Sequence, residues 1–63
     1  MVKGTLSISI LVDERPRVIR TMFVTGNSFA EIEDEAMEKV RKFEERNKGL
    51  VVCCVSLKVI LWA

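Results

Sequence analysis

The residues of this 63-residue chain that could do chemistry are two adjacent cysteines, a cluster of acids and two groups of cations. Cys54 is the best candidate nucleophile, but a thiol attacks as the thiolate and needs a base or a cation beside it. Lys58 lies four residues along, on the same face of an extended segment, which puts it roughly 13 Å away by strand rise. That is beyond direct contact. The chain has neither histidine nor tyrosine, which removes the commonest general base and a frequent proton donor. Cysteine acting as a small hydrophobe is the simpler reading. Cys53 and Cys54 are not expected to bridge, because neighbours on a strand point to opposite faces. Two cysteines without histidine also fall short of a tetrahedral zinc set.

The acids Glu31, Glu33, Asp34, Glu35 and Glu38 suggest a divalent-metal site, since Glu31/Glu35 and Asp34/Glu38 share helical faces. Acids in the first turns of a helix are nevertheless expected for capping and for the dipole, and Glu38 has Lys42 four residues on as an ordinary ion-pair partner. The solvated-face reading is preferred. Gly4, Gly26 and Gly49 are isolated, so no phosphate-cradling loop is present. The chain therefore reads as no enzyme, with no cofactor and no metal.

The cations gather in two places, Arg15, Arg17 and Arg20 in one segment and Lys39, Arg41, Lys42, Arg46 and Lys48 in another. Single-strand binders combine such charges with aromatic stacking platforms. Arg15, Arg17, Arg20 and Lys58 are the candidate nucleic-acid contacts, with Ser7 and Ser9 between Arg20 and Lys58 and Trp62 near one corner. Only that one aromatic suits the role, and the motif of an RNA-recognition sheet is absent. Net charge is +1, so the molecule as a whole has no bias toward nucleic acid or an anionic membrane.

These residues must be held by elements that the patterning makes plain. Ser28-Phe29-Ala30-Glu31 has the spacing of a capping box, in which Ser28 accepts from Glu31 N–H and Glu31 reaches back to Ser28. Phe29, Ile32, Ala36, Val40 and Phe43 then recur at three and four, and Gly49 stands where a left-handed cap ends a helix. Before the helix, Gly4–Val12 alternates, with Leu6, Ile8, Ile10 and Val12 on one side. Asp13-Glu14-Arg15-Pro16 reads as a four-residue turn, and Arg17–Thr25 as a second, β-branched strand. That loop pairs Val12 with Arg17, Ile10 with Ile19, Ile8 with Thr21 and Leu6 with Phe23. Ile19, Thr21 and Phe23 then face inward, and Arg20 is spared burial without a partner. Gly26-Asn27 links hairpin to helix. Leu50–Trp62 is the third strand, with Val51, Cys53, Val55, Leu57, Val59 and Leu61 under the helix.

The expected fold is a two-layer α+β domain, β-β-α-β, with a three-stranded sheet and one helix on one face, forming one domain over residues 1–63. A right-handed crossover makes the third strand parallel to the second, and strand order 2-1-3 is favoured over 1-2-3 because it centres the most regular strand. The layout resembles half of a ferredoxin-like sandwich. No second helix is available for the other face, which is expected to expose Leu11, Val18, Met22, Val24, Val52, Cys54, Ile60 and Trp62. Such a patch marks an interface. Met22, Val24, Val52, Ile60 and Trp62 are the expected contacts, with Arg20 and Lys58 giving polar definition.

Size points the same way. A chain this short buries only about 60 % of its unfolded surface and needs a supplement. Hydrophobic residues make up 49 % of it, so the expected supplement is self-association. The reading is a small non-enzymatic binding or regulatory protein, a homodimer or the partner of another protein, with nucleic-acid binding as the alternative. Its size is that of many phage accessory proteins. Lys3 and the Leu6–Val12 stretch lack a cleavage site for export, and Leu50–Ala63 is too short for a bilayer and carries Lys58. No membrane contact and a cytoplasmic location are expected.

Overall fold

The computed structural model describes residues 1–62. Strand β1 spans Val2–Val12, β2 Arg15–Gly26 and β3 Val52–Trp62, with helix α1 over Phe29–Arg46 between β2 and β3. The sheet order is β2-β1-β3, and both pairings are antiparallel. β2 and β3 therefore run in the same direction on either side of β1. This is the expected two-layer arrangement.

The helix starts as its capping residues dictate. Ser28 is extended (φ −149°) and its Oγ accepts from Glu31 N–H at 3.3 Å. The Glu31 carboxylate reaches back one residue further than expected and accepts from Asn27 N–H at 3.0 Å. The other end is a correction. Gly49 is not a left-handed cap, since no glycine here has positive φ. Asn47 ends the helix instead, donating to Phe43 O from its backbone N–H at 3.0 Å and from its side-chain amide at 2.9 Å. With that carbonyl doubly satisfied, the chain leaves the helix without a left-handed residue.

The hairpin differs in register from the sequence-based pairing. Val12 pairs with Arg15, so the turn has two residues, Asp13 and Glu14, and both have positive φ (52° and 66°). This is a type I′ turn, whose twist suits a hairpin. Pro16 lies inside β2 opposite Leu11. It is tolerated because β2 is an edge strand, where a missing N–H can face solvent. Ile19 is then bulged out of the pairing, which runs on as Ile8–Arg20, Leu6–Met22 and Gly4–Val24.

A left-handed glutamate costs about 1 kcal/mol, and the second position of this turn prefers glycine. Glu14→Gly is accordingly expected to raise the thermal midpoint by a few degrees, some of the gain being returned to the looser unfolded chain. A melt at fixed protein concentration checks this; a lowered midpoint would contradict the turn type.

The core consists of Val2, Leu6, Ile8, Val24, Ile32 and Ala36, with Met22, Val40, Phe43, Val52, Leu57 and Val59 packed around it. Val24 is 1 % exposed and Phe23 62 %. The inward set of β2 is therefore Met22 and Val24, not Ile19, Thr21 and Phe23. Arg20 shares the helix side of the sheet yet remains exposed, because β2 is the sheet's margin there and solvent reaches it. The burial penalty expected for this register does not arise.

β3 is shifted similarly. Cys53 and Ile60 fall at irregularities in the pairing with β1. Val55, Leu57 and Val59 face the helix side as expected, but Val52 joins them in place of Cys53. Leu61, opposite Lys3, turns to the outer face.

Two glycines set how closely α1 approaches the sheet. A Cβ at Gly4 would lie 3.1 Å from Lys58 O and 3.3 Å from Ile32 Cδ1; one at Gly26 would lie 2.9 Å from Glu31 Cβ. Gly26, expected as part of the connection from hairpin to helix, is thus also a place where helix and sheet meet.

Candidate interaction surfaces

The expected interface is corrected at three of its five residues. Met22, Val24 and Val52 belong to the core side of the sheet. Ile60 and Trp62 are exposed, Ile60 at an irregularity and Trp62 opposite Val2, on the helix side by register. Leu11, Val18 and Cys54 do lie on the outer face, opposite Pro16, Ser9 and Ser9 in the pairing. Phe23 and Leu61 join them there, and Lys3 Nζ sits 4.5 Å from the centre of the Phe23 ring. The remainder of that face is a small-hydroxyl surface, with Thr5, Ser7, Thr21 and Ser56 in register. It is more polar than the expected apolar patch.

The apolar opening is on the helix side instead. α1 packs mainly over β2 and β1 and barely reaches β3. A groove of about 410 Å³ remains between α1 and β3, with Leu6, Ala36, Val40, Val55 and Leu57 as floor and Met37 as wall. Glu33, Arg41 and Glu44 stand at its rim. Met37 is 71 % exposed on a helix whose other apolar residues are mostly covered.

The two edges of the sheet are built differently. β2 is blunted by Arg15, Pro16, Arg17 and Arg20, by the bulge at Ile19, and by Glu35, whose carboxylate accepts from Thr25 N–H at 3.1 Å. These are the devices by which proteins close an edge to pairing. β3 contains no proline and a single charge, Lys58, and pairs regularly with β1 from Cys54 to Val59. Its outer side is open.

Cys53 and Cys54 are free and exposed. Partial desolvation, and then the neighbouring Cys54, push the Cys53 thiol up, away from thiolate. The acids are engaged locally: Glu31 and Glu35 accept from backbone N–H groups, and Glu35 also pairs with Lys39 at 3.8 Å. Arg41 binds both Glu38 and Glu45, which holds the Glu38 carboxyl below its ordinary range. Among the described residues no three of these side chains converge to hold a metal. No helix among them is long and apolar enough to cross a membrane.

Of the candidate nucleic-acid residues, Arg15, Arg17 and Arg20 pair with Val12, Ile10 and Ile8 and so share the helix side of β2. Lys58 pairs with Thr5 and lies on the opposite face. The structure does not bring it to the arginines. It brings Lys39, Lys42 and Arg46 instead, which line a hollow of about 380 Å³ with Arg20, Met22, Phe43 and Asn47. Their spacing of three and four residues puts them on one helix stripe, the signal from which this grouping could have been read. Comparison with protein-family models, curated proteins and solved structures finds no match for this chain.

Proposed function

We propose that this protein is a non-enzymatic interaction module that associates with a second copy of itself through the β3 edge and the adjoining α1–β3 groove. The observation that carries this reading is the contrast between the edges: β2 is closed by charge, proline and bulge, whereas β3 is open beside an uncovered apolar floor. The core supports it. Six hydrophobic residues are buried, against thirteen large ones exposed among the described residues. That is a lopsided division for a domain with so little interior.

Antiparallel pairing of β3 with its symmetry mate would make one six-stranded sheet and set the two grooves side by side. A standard interface takes about 800 Å² from each partner, roughly one sixth of the 4680 Å² this chain exposes. A strand edge alone is too narrow to supply that. The groove, with Val55 in its floor and Met37 in its wall, supplies the remainder. Two adjacent exposed thiols suit a reducing compartment, so the reading places the protein in the cytoplasm.

Sedimentation velocity tests the proposal. The wild-type chain is expected to be a dimer at micromolar concentration, and Met37→Glu or Val55→Lys to be monomeric with an unchanged circular dichroism spectrum, since both residues are exposed. A wild-type monomer at high micromolar concentration would overturn self-association. Dimers that survive both substitutions would move the interface elsewhere.

A further inference from the structure

We propose that the helix side of the β2 edge, continued across α1, is a nucleic-acid backbone site. Arg15, Arg17 and Arg20 share one side of β2, and Lys39, Lys42 and Arg46 on α1 line one hollow with Arg20, from which Arg17 and Arg15 continue along the strand. Among the described residues no carboxylate lines that hollow. Among the described residues, Lys39 is the only one of the six cations in a salt bridge, with Glu35 at 3.8 Å, and Lys42 feels the Glu38 carboxylate at longer range. Arg41, the cation nearest in sequence, is turned away from this role by Glu38 and Glu45. The near-neutral net charge thus conceals a sorted surface, with most unpaired cations on one flank.

The ligand class follows from shape and residue type. The hollow alone would take a single phosphoryl group. The arginines extend the cationic line along the strand by roughly 15 Å, at about 3.4 Å per residue. A line of that length faces several successive phosphates of a nucleic acid, and guanidinium groups meet phosphate with paired hydrogen bonds. An anionic bilayer is a poorer fit, because the apolar residues of the hollow, Met22 and Phe43, are half-buried in its floor and offer nothing to insert. With no exposed aromatic in the line, bases have no platform to stack on. Binding is to the backbone and independent of sequence.

Fluorescence anisotropy with a short random-sequence DNA oligonucleotide, over a series of salt concentrations, tests this. The wild-type chain is expected to bind at low salt, with a log–log salt slope of up to about −4 on single-stranded DNA for six cations. A triple variant, Arg17→Ala, Arg20→Ala and Lys42→Ala, is expected to lose about tenfold or more in affinity and about 2 in slope. All three side chains are exposed, so its fold should survive, as circular dichroism would verify. Lys58→Ala, on the opposite face, is expected to bind as wild type does. The proposal fails if wild type does not bind DNA at low salt, if the triple variant binds equally well, or if Lys58→Ala weakens binding as much. Binding to phosphatidylserine vesicles without binding to DNA would overturn it in favour of a membrane surface.

Discussion

Replacing Val24 with aspartate is expected to unfold the protein, whereas the same replacement at the adjacent Phe23 leaves it folded. Val24 is enclosed by the helix and β1, and Phe23 projects from the outer face. A carboxylate at position 24 would be enclosed among the apolar side chains of the core. The penalty for an unpaired buried charge is several kcal/mol even after relaxation. A domain of this length has only about 3–9 kcal/mol in reserve, at the usual stability per residue. At position 23 the new carboxylate stands in water beside Lys3, and the loss is confined to that cation–ring contact, about 0.5–1 kcal/mol at an exposed site. The pair of variants reads the hairpin register directly. Circular dichroism or an amide-dispersion spectrum would decide it, and the opposite result, a folded Val24→Asp with an unfolded Phe23→Asp, would restore the four-residue turn.

Ile32→Ala is expected to cost about 2–5 kcal/mol, the range for emptying a well-packed aliphatic site. Ile32 is fully buried, and its side chain fills the space left by two residues without side chains, Gly4 and Gly26. Neither backbone segment can collapse into the vacancy without breaking β1's pairing on both sides or the join between β2 and α1. The cost should therefore fall in the upper part of the range. Since 1 kcal/mol shifts the midpoint of a domain this small by about 4–8 °C, the melting temperature should fall by more than about 10 °C. The comparison must be made at one protein concentration, because association adds concentration-dependent stability. A fall of only a degree or two would mean that α1 is not seated as described.

Both predictions separate what is local in this chain from what is not. The helix, its N-cap and its apolar stripe were legible because they rest on residues within one or two turns of each other: Ser28 with Glu31, and Ile32 with Ala36, Val40 and Phe43. Three strands followed from alternation and the adjacency of β1 and β2 from the short hairpin connection, and the observed order is the one favoured for centring the most regular strand. The faces of β2 and β3 did not follow. Side chains on a strand alternate with a period of two, so one residue of error turns every subsequent one over. Pro16 carried the signature of a turn, yet an edge strand can hold it, and the turn itself is made by two residues without glycine. The irregularities at Ile19, Cys53 and Ile60 then reset the alternation at places where nothing in the local sequence marks them.

For the candidate surfaces the same division holds. That the chain has surplus apolar residues and two groups of cations was determined by the sequence alone, since composition and spacing do not depend on folding. Tertiary structure decided where they meet. It placed the open apolar surface in a groove beside β3 instead of on the outer face, because α1 is one helix wide and lies over β1 and β2. It also joined Arg20 to Lys39, Lys42 and Arg46, which are far apart in the chain, and sent Lys58 to the other side of the sheet. Local patterns specify elements because their hydrogen bonds close over a few residues. Which side chains share a surface depends on register, bulges and packing, which only the assembled sheet and helix determine.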